Sequence, residues 1–242
     1  MHHRRKTRPG RLRQLDALVR AWAPEVLDPE APHLRGAPVV DLGIGAQPWT
    51  TLELVEAVAP LEVVGVDIAP IVVERARAYE RPGLTFLSGS FDLPVQARLV
   101  RVMNVLRDLV AAEVPDAHRR IGASVLDGGL VIEGSCGPTG EAGVAHALRK
   151  RDGTLVREAL LFWLDGTKGT APLAFRDRLP RDLRGDKRHP AMALLHRWQA
   201  AYLALAPSDD RLARAAATAD ASLHVRGPGF VWAPPDGVPP TS

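Results

Sequence analysis

Two acids and two glycines stand at intervals suited to holding a ligand. Val39, Val40, Asp41 and Leu42 form a short apolar run carrying an acid, and Gly43 and Gly45 follow at once. Glycine lets a backbone approach a bound group closely and adopt torsions that a Cβ penalises. A dinucleotide turn needs a third glycine, which in this register falls where the sequence has Pro48, so a nicotinamide cofactor is disfavoured. Asp67 closes a second apolar run, Glu62 to Val66, far enough on for a turn, a helix and a return strand. Asp108 and Glu133 stand at expected strand ends with His118 and His146 nearby, and any of them could accept a proton. Residues of these types are more often ordinary solvated helix or strand residues, so no base is assigned. His189 and His196 lack a third ligand at metal spacing, and no metal site is expected. The single cysteine, Cys136, can form neither an intramolecular disulfide nor a thiolate zinc site, but could line a pocket as a soft apolar wall.

The elements that must position these residues follow from periodicity. Leu12, Leu15, Leu18, Val19 and Trp22 recur at helical spacing before Pro24. After the glycine turn, Thr50 and Glu53 have the spacing of a capping box, and Pro60 closes that helix. Pro70 opens the next helix, which carries Ile71, Val72, Ala76 and Tyr79. Residues 84–87 and 98–103 are predicted as the third and fourth strands. Residues 115–126 are predicted as a helix stopped by Gly128 and Gly129, and 130–133 as the fifth strand. Strands alternating with helices in this way make a parallel, doubly wound sheet. Residues 144–151 and 154–164 flank Asp152-Gly153, a dipeptide suited to a type I′ hairpin, with a helix over 141–150 as the competitor. Residues 190–205 are predicted as a helix with Met192, Leu195, Trp198, Gln199, Tyr202 and Leu205 along one side. Trp163, Trp198 and Tyr202 could build an acceptor pocket or pack a core. From Gly227 onward the five prolines predict an irregular tail.

Taken in order, Val-Val-Asp41-Leu-Gly43-Ile-Gly45 followed by Val-Val-Gly-Val-Asp67-Ile68 resembles the first two motifs of the class I S-adenosylmethionine-dependent methyltransferase family. The resemblance continues through Phe86 to Pro94, Met103-Asn104-Val105-Leu106 and Asp127-Gly-Gly-Leu-Val, covering roughly residues 38 to 135. It implies S-adenosylmethionine as cofactor, with Asp41, Gly43 and Gly45 at its methionine end. Asp67 and Ile68 would meet the ribose, and Asn104 would stand beside the transferring methyl group. A carboxylate such as Asp67 suits a ribose diol because it offers only acceptors to two hydroxyl donors. Where the family has an acid for the adenine amino group, this chain has Ser90, then Phe91 and Asp92. Ser90 or Asp92 could take the polar role, and Phe91 could pack on the purine face or in the core. Gln47 stands where a third glycine is common in the family. The turn through Thr51 looks like that of an uncharacterised bacterial subgroup, and the asparagine-proline-proline-aromatic motif of many nucleic-acid amino methyltransferases is absent.

The expected fold is therefore α/β: a Rossmann-like, doubly wound, mostly parallel sheet with helices on both faces, plus a C-terminal hairpin and helix addition. Residues 1–37 are expected as a basic arm and helix, 38–136 as the cofactor-binding core, and 137–242 as hairpin, helix and tail of the same domain. The expected activity is methyl transfer to an unidentified small molecule. Arg4, Arg5, Lys6, Arg8, Arg11 and Arg13 precede the first acid, Asp16, and leave the rest of this +3 chain net negative. Such an arm could contact nucleic acid or simply be solvated. It motivates the alternative of an RNA or protein methyltransferase, and Gln47, Ser90 and the lack of an evident base motivate a non-catalytic cofactor-binding protein. No apolar run is long enough to span a membrane, and a cytoplasmic location is expected.

Overall fold

A computed structural model describes residues 8–164 and 171–239. Its centre is one nine-stranded sheet in the order β3-β2-β1-β4-β5-β6-β7-β9-β8. The strands are β1 (Val39–Leu42), β2 (Val63–Asp67), β3 (Leu84–Ser88), β4 (Ala97–Met103), β5 (Val125–Cys136), β6 (Ala142–Arg151), β7 (Thr154–Leu164), β8 (Leu223–Arg226) and β9 (Gly229–Trp232). The first five pair in parallel; from β5 onward every pairing is antiparallel. β1 and β4 are buried along their whole length, as expected of parallel strands covered on both faces. Strand order reverses between β1 and β4, which is where an open α/β sheet forms its ligand crevice.

The helices are α1 (Arg13–Trp22), α2 (Trp49–Val58), α3 (Pro70–Ala76), α4 (Val114–Ala123), α5 (Pro190–Ala204) and α6 (Arg211–Ala219). Leu15, Leu18 and Val19 of α1 are buried, each contributing about 1.5 to 3 kcal/mol of burial. They join Leu54 and Val58 of α2, Val72, Val73 and Ala76 of α3, and Trp163 of β7 in one core. On the opposite face Val114, Ala117 and Ile121 of α4 pack beneath β1, β4 and β5. Farther along that face, α5 and α6 cover β6, β7 and β9. There Trp198 stacks on Phe175 and meets Phe162 and Phe230 edge-on. Trp163 and Trp198 are thus both buried core residues.

Three local expectations are corrected. Thr50 and Glu53 do not cap α2: the helix begins at Trp49 behind Pro48 with no side-chain cap. The Glu53 carboxylate accepts from the Gly10 N–H and from Arg13 instead. Gly128 and Gly129 do not end a helix. α4 stops at Ala123, and Val125 already pairs with Ala97. Gly128, at φ 82°, lies in the bulge that shifts the β4–β5 register, and a bulge admits an extra residue where glycine tolerates the torsion. The segment after Gly227 is not irregular at its start. Gly227 and Pro228 form the turn between β8 and β9, and buried Phe230, Val231 and Trp232 extend the sheet. The prolines outside that turn come after the strand.

The 144–164 hairpin forms as expected, in place of the competing helix over 141–150, with Asp152 at φ 48° and Gly153 at φ 77°. A Cβ on Gly153 would meet nothing within 4 Å. Gly153→Ala should therefore carry only the left-handed backbone cost, about 1 to 2 kcal/mol, read from the denaturation midpoint. An unchanged midpoint would show that the turn relaxes out of this geometry.

Candidate active site

A cleft of about 350 Å³ opens beyond the carboxyl ends of the parallel strands, lined by Leu42 and Gly43 at the end of β1, Asp67 and Ile68 at the end of β2, and Gly89, Ser90 and Phe91 after β3. Val105 and Arg120 complete the wall. The Asp67 carboxylate accepts from the Gly45 N–H at 3.2 Å and from the Ala69 N–H at 2.9 Å. A carboxylate has roughly four acceptor positions, so Asp67 keeps capacity for donors from the cleft while tying the glycine turn to the end of β2. Ile68 is 76% exposed, an apolar side chain held at the cleft with nothing covering it.

The glycine turn has a steric reason at both positions. Gly43 has φ 91°, and a Cβ there would lie 2.5 Å from Val105 Cγ2; Gly45 has φ 76°. Either alanine would strain the backbone that brings the Gly45 N–H onto Asp67.

A smaller polar pocket of about 30 Å³ shares Leu42 and Gly43 with the cleft and is lined also by Arg11, Leu12, Asp41, Thr50, Met103 and Asn104. Asp41 is buried at its floor, accepting from Thr51 Oγ1 at 2.6 Å and from Arg101 Nε at 3.0 Å. Arg101 reaches onward to both Asp16 oxygens at 2.7 Å and to the Thr50 carbonyl. This network joins α1, α2, β1 and β4 beneath the pocket. Arg11 is held by the Gly137 and Cys136 carbonyls. Asn104 has φ 62°; its Oδ1 accepts from the Cys136 N–H and Arg107, and its Nδ2 lies 3.2 Å from Cys136 Sγ. Asparagine tolerates this left-handed torsion better than most residues.

All eight site residues named from sequence therefore converge on the strand ends. Gly43, Asp67, Ile68, Ser90 and Phe91 line the cleft, Asp41 and Asn104 line the adjoining pocket with Gly43, and Gly45 braces Asp67. Of the two polar candidates after β3, Ser90 lines the cleft, whereas Asp92 is engaged by Arg120, whose hydrogen bonds hold its carboxyl below the usual range. Arg120 also stands over the Phe91 ring, 5.6 Å from its centroid.

Sequence reasoning missed Arg11, Arg101 and Arg120. Arg101 had a visible signal, an arginine inside an otherwise apolar buried strand, which is tolerated only when paired; the partners were not readable. Of the candidate bases, Asp108 is exposed, while His118, Glu133 and His146 are buried together beneath the sheet and none lines the cleft. His189 instead caps α5, accepting from the Ala191 N–H, and meets the Pro239 carbonyl.

No protein-family model and no curated protein matches the chain. Solved structures similar to it include the PH0226 protein from Pyrococcus horikoshii OT3, 19% identical over 52% of this chain and 57% of that one, with a TM-score of 0.40. Human N-acetylserotonin methyltransferase in complex with SAM is 24% identical over 50% of this chain and 33% of that one, with a TM-score of 0.39. The neocarzinostatin-biosynthesis O-methyltransferase NcsB1, solved with S-adenosyl-L-homocysteine and 1,4-dihydroxy-2-naphthoic acid, is 23% identical over 41% of this chain and 32% of that one, with a TM-score of 0.37. The chain thus spans between a third and just over half the length of these proteins.

Proposed function

We propose that the chain is a class I S-adenosylmethionine-dependent methyltransferase acting on a small molecule. The observation that carries this reading is Asp67, held by two backbone N–H groups at the end of β2 with its spare acceptors beside an open cleft. The ribose hydroxyls would donate to Asp67, and the adenine would lie between exposed Ile68 and Phe91 with Ser90 at its polar rim. The amino-acid end would enter the pocket of Arg11, Asp41, Gly43 and Asn104, where a guanidinium suits its carboxylate and acceptor oxygens suit its ammonium.

When bound, this cofactor supplies a methyl group on a sulfonium, which departs neutral. The residues' task is then alignment and exclusion of water, with no obligatory strong base. Among the described residues the cleft lining offers no histidine and no carboxylate besides Asp67, in keeping with catalysis by positioning. Arg11 is folded into the pocket and Arg13 bonds to Glu53, so two of the six arm cations are used inside the chain. Arg4, Arg5 and Lys6 lie outside the described residues.

Calorimetry on the full chain tests the reading. Binding of S-adenosylmethionine is expected, with no competition by NAD; tight NAD binding without heat from S-adenosylmethionine would overturn it. RNA should bind only weakly, and sub-micromolar RNA binding at physiological salt that vanishes on removing residues 1–7 would favour an RNA acceptor.

A further inference from the structure

On the face of the sheet away from α1 and α2, a polar cluster is sealed between α4 and the segment preceding α5. Glu133 on β5 and His146 on β6 are direct cross-strand partners, so their side chains leave the same face. His118 of α4 approaches from one side and Asp182 from the other. All four are buried, with Glu133 1% and His146 0% exposed. One donor atom from each of Glu133, His146 and Asp182 lies within 4.8 Å of the others.

The hydrogen bonding of this cluster is incomplete. Glu133 Oε2, His118 Nε2 and His146 Nδ1 are buried without a hydrogen-bond partner. His118 Nε2 and Glu133 Oε2 face each other at 3.5 Å, long for a hydrogen bond. His146 Nε2 and Asp182 Oδ1 are 3.0 Å apart, within the span of neighbouring ligands about 2.1 Å from one zinc ion.

The charge is incomplete as well. Arg157 Nη2 pairs with Asp182 Oδ2 at 2.9 Å and balances one carboxylate. Glu133 has no ion-pair partner besides His118 among the described residues, and a buried unpaired carboxylate is costly. Lys150 donates to the Gly122 carbonyl, and Arg184 Nη2 donates to Ser135 and the Leu179 carbonyl, close enough to feel the charge of Glu133 but not paired with it.

We propose that Glu133, His146 and Asp182 form a buried site for a divalent transition-metal ion such as zinc, with His118 Nε2 beside the Glu133 ligand. Two carboxylates with imidazole nitrogen are a donor set that such ions accept. Arg157 and the Leu183 N–H, both donating to Asp182, would orient that ligand from outside the coordination sphere. A cavity of about 280 Å³ lined by His118, Lys150, Gly153 and Arg157 borders the cluster at His118 and Arg157. The ion would tie the segment carrying Asp182 and helix α4 to the seam between β5 and β6, independently of the cofactor cleft. It would also correct the expectation that the chain has no metal site: His146 and Asp182 meet only in three dimensions.

The test uses the full-length chain, stripped with a chelator and desalted, then titrated with Zn²⁺ by calorimetry and with Co²⁺ by visible absorption. One equivalent of bound ion and a Co²⁺ d–d band are expected. Glu133→Gln and Asp182→Asn should each weaken binding at least tenfold and diminish the band, which separates this site from any ion held by His2 and His3 at the N-terminus. Should either variant fail to fold, His118→Gln, on the helix rather than in the sheet, should still alter the Co²⁺ spectrum. A folded wild-type chain that takes up neither ion, or a band identical in the folded variants, would overturn the proposal.

Discussion

Replacing Arg101 with methionine is expected to lower the unfolding free energy by about 3 to 5 kcal/mol, because it strands buried carboxylates without their cation. Arg101 is 3% exposed in its side chain and bonds to Asp16 and Asp41, themselves 7% and 6% exposed. Burial opposes the charge on this guanidinium, but the two carboxylates outweigh it and keep it firmly protonated. Asp16 differs: burial dominates and raises its carboxyl above the ordinary value against the pull of Arg101. A carboxyl with a raised folded pKa contributes stability fully below its unfolded pKa, about 3.9, and loses it as pH rises through the folded value. Removing Arg101 takes away the lowering influence and moves Asp16 further up. The deficit of Arg101→Met should therefore be largest near neutral pH and shrink on acidification. Urea denaturation of both chains across that range is the measurement. A pH-independent deficit, or one within the about 0.5 kcal/mol of ordinary surface substitutions, would show that the network contributes little.

Asp67→Ala is expected to weaken S-adenosylmethionine binding by about 1.5 to 3 kcal/mol, the range for hydrogen bonds to a charged group, or about ten- to hundredfold in Kd. The substitution removes the acceptor for the Gly45 and Ala69 N–H groups as well as the acceptor facing the cleft. Asp67→Asn keeps one acceptor oxygen and should fall between wild type and alanine. Because Asp67 is only partly buried, both variants should stay folded. Calorimetric titration of the three proteins reads the effect, and an unchanged Kd in folded Asp67→Ala would remove this residue from the site.

Local chemistry was enough to determine the parallel half of the fold. Short apolar runs in the strands 39–42, 63–67 and 84–88, the first and third followed by glycine and the second closed by Asp67, carry their strand identity in a few consecutive residues. The Asp152-Gly153 turn was legible for the same reason, since positive φ at two successive positions is a requirement met by residue type alone. The order of motifs likewise brought Asp41, Gly43, Gly45, Asp67, Ile68, Ser90, Phe91 and Asn104 to one end of the sheet, because parallel strands joined by right-handed crossovers must present the same ends together.

What the tertiary structure alone decided were the partners of charged and polar side chains, which depend on distances between segments far apart in the chain. Thr50 and Glu53 have capping-box spacing, yet the helix starts one residue earlier, at Trp49, and the Glu53 carboxylate accepts from the Gly10 N–H and Arg13 of a segment far away in the chain. Asp92 and Ser90 were equal candidates until Arg120, on a helix beyond the next strand, engaged Asp92. Glu133, His118, His146 and Asp182 come from two strands, a helix and an irregular segment. No periodicity reports such a meeting, since each residue satisfies its own element whether or not the others are near.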